Sequence, residues 1–148
     1  MMTILDVKKG LIDKMKTVFT EDKFKYYGFD VKEGYKRPCF FAQIKPVDIS
    51  PLNYNSKKIQ ATFYIDYLQK SINEVDALSV TQKLQDLFEL YVKIGDRAVY
   101  VNGFDWDYVG SNKNIIEISI DLEWHVRISH NEEFPIMETA NFKTEMEE

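Results

Sequence analysis

At 148 residues, with 45% hydrophobic and 29% charged residues, the chain holds the material for a single domain with its own apolar core. Its formal charge of −5 comes wholly from residues 129–148, where Glu132, Glu133, Glu138, Glu145, Glu147 and Glu148 stand against Lys143 alone, so the neutral remainder lacks the concentrated basic surface that duplex nucleic acid requires. A lone cysteine, Cys39, excludes an internal disulfide, and no stretch reads as a signal peptide or a bilayer span, so a cytoplasmic chain that binds neither a specific nucleic acid nor a membrane is expected.

Apolar residues at Ile4, Leu5, Leu11, Ile12, Met15, Val18 and Phe19 fall at the three- and four-residue spacing of one helix face. Thr3 and Asp6 resemble a capping pair, and Gly10, inside this helix, should cost it about 1 kcal/mol relative to alanine. A turn and a short strand are expected between Phe24 and Gly34. Pro38 then opens a strand, CFFAQIKPV, in which Phe40, Ala42 and Ile44 alternate with Phe41, Gln43 and Lys45. The stretch from Pro46 to Ser56 is rich in proline, asparagine and serine and reads as a loop. In the next strand Ile59, Ala61, Phe63, Ile65 and Tyr67 share one face.

Asn73 is placed to cap a second helix whose apolar stripe would be Val75, Leu78, Leu84, Leu87, Phe88 and Tyr91, with Gly95 ending that region. Two strands, Arg97–Asn102 and Phe104–Val109, are expected to join at Asn102-Gly103, since Asn-Gly is a strong hairpin signal. After a turn at Gly110–Asn114, the alternation from Ile116 to Ile128 is unbroken. Ile116, Ile118, Ile120, Leu122, Trp124 and Val126 point one way, and Glu117, Asp121, Glu123 and His125 the other. Its length exceeds that of an ordinary strand. The order of elements predicts an α+β fold of two layers, a mostly antiparallel β-sheet covered on one face by two helices. Residues 1–128 would form this domain and residues 129–148 an acidic tail.

Catalytic chemistry finds little support. His125 and His130 have no ligand partners at metal-site spacing. Cys39 beside Phe40 and Phe41 reads as a buried, inert thiol. Asp105 and Asp107 put two carboxylates on one strand face, a pattern that can hold a divalent ion, but an inward-pointing Trp106 between them explains it structurally. Phosphate loops, serine elbows and zinc spacings are absent from the sequence, and no cofactor is expected. Two features instead ask for a partner: Ile49, Leu52 and Tyr54 in the expected loop, and Phe134, Ile136, Met137, Phe142 and Met146 scattered through the acidic segment.

The segment Val31-Lys-Glu-Gly-Tyr-Lys-Arg-Pro-Cys-Phe-Phe41 resembles the V-x-Q-G-F-x-x-P-C-F-F stretch of a phage tail terminator family common in tailed phages and prophages of Gram-positive bacteria. Glu33 and Tyr35 are departures from the family's glutamine and phenylalanine. The likeness continues in register through Phe63-Tyr-Ile-Asp-Tyr67, similar to the family's F-x-I-x-Y-F, to Trp124-His-Val126, and spans roughly residues 3 to 128. The resemblance implies a structural, non-catalytic virion protein. Such a protein caps the tail tube as a ring, typically of six copies, stops its polymerisation and joins it to the head connector. Its partners would be itself, the tail tube protein and a connector or neck protein. It would be found in the host cytoplasm during assembly and then in the virion tail. A head-completion or neck adaptor is the alternative within virion structure, and a small metal-dependent enzyme using Asp105 and Asp107 the alternative from another class. In a ring, Glu117, Asp121 and Glu123 could face the channel and repel passing DNA.

Overall fold

The computed structural model describes residues 2–31, 33–110 and 115–128. The elements are α1 (Ile4–Lys16), β1 (Lys25–Gly28), β2 (Cys39–Asn53), β3 (Ser56–Leu68), α2 (Glu74–Leu87), β4 (Tyr91–Ile94), β5 (Arg97–Val109) and β6 (Ile115–Arg127). One sheet holds all six strands in the order β1-β2-β3-β6-β5-β4. Every pairing is antiparallel except that of β1 with β2.

Both helix starts form as their sequences dictate. Thr3 Oγ1 accepts from the Asp6 amide while the Asp6 carboxylate accepts from the Thr3 amide, a reciprocal capping box. Asn73 Oδ1 accepts from the amides of Val75 and Asp76. Gln69 Nε2 donates to the Asn73 carbonyl at 2.7 Å and the Tyr67 hydroxyl to Asp76 at 2.7 Å, which ties the start of α2 to the end of β3. Gly10 has a packing reason: a Cβ there would lie 2.9 Å from two side-chain carbons of Ile94, so only glycine lets α1 approach β4 this closely.

The expectation of two layers, an α+β sheet covered on one face by two helices, is overturned. Among the described residues 51% are in strands and 22% in helices, and the sheet is a curled half-barrel. The reason is one of lengths. Helices of 13 and 14 residues reach about 20 Å. Strands of 13 to 15 residues reach about 43–50 Å. Two such helices cannot cover such a sheet, so it buries its apolar side by bending. α1 packs against both β2 and β4, which stand four places apart in the sheet. In a flat sheet that is about 19 Å, well beyond one helix diameter. Val7, Leu11 and Met15 of this helix fill the hollow of the curled sheet at 0% exposure.

Three further expectations change. The stretch from Pro46 to Ser56 is not a loop. It is the outer half of β2, turning at Tyr54-Asn55 into β3, with bulges at Val47 and Leu52. Asn102-Gly103 is a bulge inside a single strand, β5, and the tight turn lies instead at Gly95-Asp96, between a short β4 and β5. α2 buries Ala77, Val80, Thr81 and Leu84, while Val75 and Leu78 are exposed. The last strand is as long as expected, and it is paired along its whole length with β3 and for most of it with β5. Residues 111–114 of the expected second turn lie outside the described residues.

A second apolar cluster sits on the outer, convex side. Cys39, Phe41 and Leu68 are buried there with Tyr27, Val31, Tyr35 and Ile115 against them. The segment that leads into β2 makes this cluster. Gly34 turns the chain at φ 79°, a conformation that strongly favours glycine, and brings the Tyr35 ring edge-on to Phe41 at 5.3 Å.

Candidate functional site

The outer face of the sheet collects carboxylates from three strands. Strand register puts Asp66 opposite Glu117 and Glu117 opposite Asp107, one row across β3, β6 and β5. Asp105 follows opposite Ser119. Asp121 lies opposite Thr62, whose hydroxyl donates to its Oδ1 at 3.0 Å. Glu123 accepts from Asn102 Nδ2 at 3.1 Å and has His125 Nε2 at 3.8 Å. Glu117 and Asp121 are exposed and Glu123 is half-buried. Like charges directly opposite one another on a sheet are destabilising. The row of three carboxylates therefore works against the fold, which points to a use outside folding.

Asp66 is the strained member. Its Oδ1 is buried and has no hydrogen-bond partner among the described residues. Burial first, and the neighbouring Glu117 second, push its carboxyl up to about 6. A folded-state pKa above the unfolded value means that the protonated form favours folding. That contribution is complete below about pH 4 and is lost as pH rises through about 6. Asp66→Asn is expected to be more stable than the parent by on the order of 1–2 kcal/mol at pH 8, and equal to it near pH 4. Urea unfolding of both proteins at the two pH values measures this; equal stability at pH 8 would refute it.

The β2–β3 hairpin forms the second feature. β1 pairs with β2 only over Cys39–Ala42, so beyond Ala42 no described strand flanks β2 on the side away from β3. Val47, Ile49, Leu52 and Tyr54 are all about half exposed or more, at 61, 57, 48 and 58%. Pro46 and Pro51 lie on this edge, where a missing amide donor is tolerated. Ile49, Leu52 and Tyr54 thus come together on one projecting arm. Phe134 and Ile136, the other expected contact residues, lie outside the described residues, as does His130.

Among the described residues the groups with catalytic potential are not assembled. Cys39 is fully buried in the outer cluster, and burial pushes its thiol up to about 11. Asp105 and Asp107 belong to the carboxylate face, and Trp106 between them is on the inner side of the strand but 43% exposed, packed edge-on to Tyr108. Among the described residues no three or more His, Cys, Asp or Glu side chains come together in a metal-holding group. No helix among them is long and apolar enough to cross a membrane.

Sequence reasoning missed Asp66 as a member of the acidic face. Its alternation with Gln60, Thr62 and Tyr64 put it on the polar side of its strand, but nothing local shows that this strand lies beside β6.

Comparison with known proteins gives the following. A family model described as phage tail terminator protein matches residues 6–133. A solved structure described as the virion of a native gene transfer agent particle is similar, with a TM-score of 0.54 at 10% identity, over 82% of this chain and 95% of that one. A second solved protein, which carries no functional name, aligns with a TM-score of 0.52 at 12% identity, over 89% of this chain and all of that one. At such identities these two likenesses speak for the fold alone. No curated protein sequence matches the chain.

Proposed function

The chain belongs to a phage tail terminator family, a family of structural, non-enzymatic tail proteins, and from that premise we propose that it completes the virion tail. In this reading it caps the tail tube as a ring, stops tube polymerisation and joins the tube to the head connector. The family match over residues 6–133 carries the reading. The fold is compatible with it. Among the described residues the sheet has two different open edges, beyond Ala42 on β2 and beyond Val101 on β5, and a ring is built from just such unlike surfaces meeting head to tail.

Ile49, Leu52 and Tyr54 on the arm, with Phe134 and Ile136, supply contacts to neighbouring proteins. The face that carries Glu117, Asp121 and Glu123 lines the channel and keeps passing DNA from sticking. Residues 1–128 act as the assembling domain and 129–148 as an acidic appendage to it. A catalytic role for Asp105 and Asp107 has no place in this family, and both residues join the acidic face instead.

Deleting the gene from a phage or prophage that carries it, and imaging the tails by electron microscopy, tests the proposal. Overlong or irregular tails without heads are the expected result. Tails of normal length that fail to join heads would move the role to a neck or head-completion adaptor. Intact particles would refute both.

A further inference from the structure

The arm and the segment that follows β6 carry complementary surfaces. The arm and the adjoining end of β6 carry four cations, Lys45, Lys58 and Arg127 on the outer face and Lys57 on the inner; Asp48 is the acid on the arm itself, and Asp121 and Glu123 of β6 stand on the outer face two strands from Lys45 and diagonal to Lys58. Among the described residues none of the four is in an ion pair. Val47, Ile49 and Leu52 are exposed along the β2 edge, Ile49 on the inner side opposite Ile59 and Val47 on the outer side with Gln60 and Thr62, so a segment that touches all of them wraps the edge. Segment 129–148 has the opposite character, six glutamates against one lysine, interspersed with Phe134, Ile136, Met137, Phe142 and Met146. Acidic groups and large apolar groups in one stretch suit a surface that is basic and apolar at once.

The exit point of the chain favours the same match. The Ile128 amide donates to the Asn55 carbonyl at 2.8 Å, so segment 129–148 begins at the turn of the β2–β3 hairpin. From β6, across β3 and β2 to the far side of the arm, is three strand spacings, about 14 Å. Residues 129–133 can span about 17 Å when extended, which delivers Phe134 to the open edge of β2. Pro46, Pro51 and the two bulges interrupt any regular ladder there, so side chains and charge, not strand addition, would hold the segment.

We propose that segment 129–148 of the same chain docks on the β2–β3 arm, its glutamates on Lys45, Lys57, Lys58 and Arg127 and its Phe134 and Ile136 against Val47, Ile49 and Leu52. The contact covers the arm's apolar groups in the unassembled chain. A neighbouring subunit that takes the arm must displace the segment, so docking sets the order of assembly. The intramolecular contact itself does not depend on the ring.

Hydrogen exchange in the full-length protein tests it. The amides from Asp48 to Leu52 should exchange about tenfold faster in Phe134→Ser/Ile136→Ser than in the parent, and also in Glu132→Lys/Glu133→Lys/Glu138→Lys, while those of Ile118 to Leu122 are unchanged. Protection of the arm in the parent should not vary with protein concentration and should weaken with salt. Equal exchange in parent and variants overturns the proposal. Protection that grows with concentration also overturns it, by making a second copy the occupant.

Discussion

Replacing Phe40 by alanine should cost about 3–5 kcal/mol of stability. Phe40 is fully buried on β2, and four aromatic rings pack on it: Phe19 at 5.1 Å, Tyr67 at 5.1 Å, Phe24 at 5.4 Å and Tyr26 at 5.5 Å. Those rings come from the chain after α1, from β1 and from β3, so one side chain ties three parts of the fold to the sheet. Its loss removes the transfer energy of the ring, leaves a cavity that rigid aromatic neighbours fill poorly, and takes away ring–ring contacts worth roughly 0.5–1.5 kcal/mol each. Against the 5–15 kcal/mol total of an ordinary domain this is a large fraction. The melting temperature should fall by roughly 10–20 °C. Phe29→Ala is the control. Phe29 is 40% exposed and among the described residues makes one ring contact, with Phe41 at 6.4 Å, so it should lose about 1 kcal/mol or less. Thermal unfolding followed by circular dichroism compares the two, and similar losses would show that the Phe40 cluster is not the centre of stability.

Elements set by local chemistry could be read from the sequence. Thr3 with Asp6 and Asn73 mark the two helix starts because a side-chain oxygen satisfies amides only two or three residues away. β6 is legible because the sheet buries the same side along its whole length, so the period of two never breaks. The outer half of β2 was hidden by its two bulges. Each inserts a residue and reverses which side chains face inward, so Val47 and Leu52 interrupt the alternation just where prolines already suggest a loop. Asn102-Gly103 carried a turn signature that tertiary context overrode. Gly103 lies opposite Asp121, where an added Cβ would meet the carboxylate at 3.2 Å, and the strand simply continues past it. The α2 stripe was misplaced because small Ala77 and Thr81 take the inward positions while Val75 and Leu78 stay out. The two-layer expectation failed for a global reason: the curl depends on strand lengths that the loop and hairpin readings had cut short.

The candidate site divides in the same way. Glu117, Asp121 and Glu123 share a strand, so their common face follows from alternation. That Asp66, Asp105 and Asp107 join them follows from the sheet order β3-β6-β5, which sets Asp66 opposite Glu117, 51 positions away in sequence, only once the chain is folded. No local pattern encodes that order. The solvent exposure of Ile49, Leu52 and Tyr54 agrees with their place in a surface segment, although the backbone there is strand and not loop.

Reversing the acidic face should separate assembly from genome passage. In Glu117→Lys/Asp121→Lys/Glu123→Lys each replacement changes the charge by two, so the channel wall of the proposed ring, at six copies, would go from about 18 negative charges to about 18 positive ones. Duplex DNA carries one negative charge for about every 1.7 Å of its axis, and such a wall would hold it electrostatically. Infectivity should drop by about a hundredfold or more while tails keep their normal length and rings stay intact. The fold itself should tolerate the change. Lysine at position 117 would sit between Asp66 and Asp107 and replace two like-charge neighbours by attractive ones, which favours the variant by a few tenths to 1 kcal/mol. That gain offsets part of the loss of the Thr62–Asp121 and Asn102–Glu123 hydrogen bonds. Glu117→Lys alone keeps both hydrogen bonds and should be at least as stable as the parent, so a loss of infectivity in this single variant cannot be assigned to misfolding. A neutral triple variant, Glu117→Gln/Asp121→Asn/Glu123→Gln, should fall between the two, because it removes repulsion without adding attraction. Plaque titres and tail micrographs of a phage carrying each variant decide the matter. Full infectivity of the lysine variant would place this face on the outside of the ring, and its row of opposed carboxylates would then have to answer to a partner protein in place of DNA.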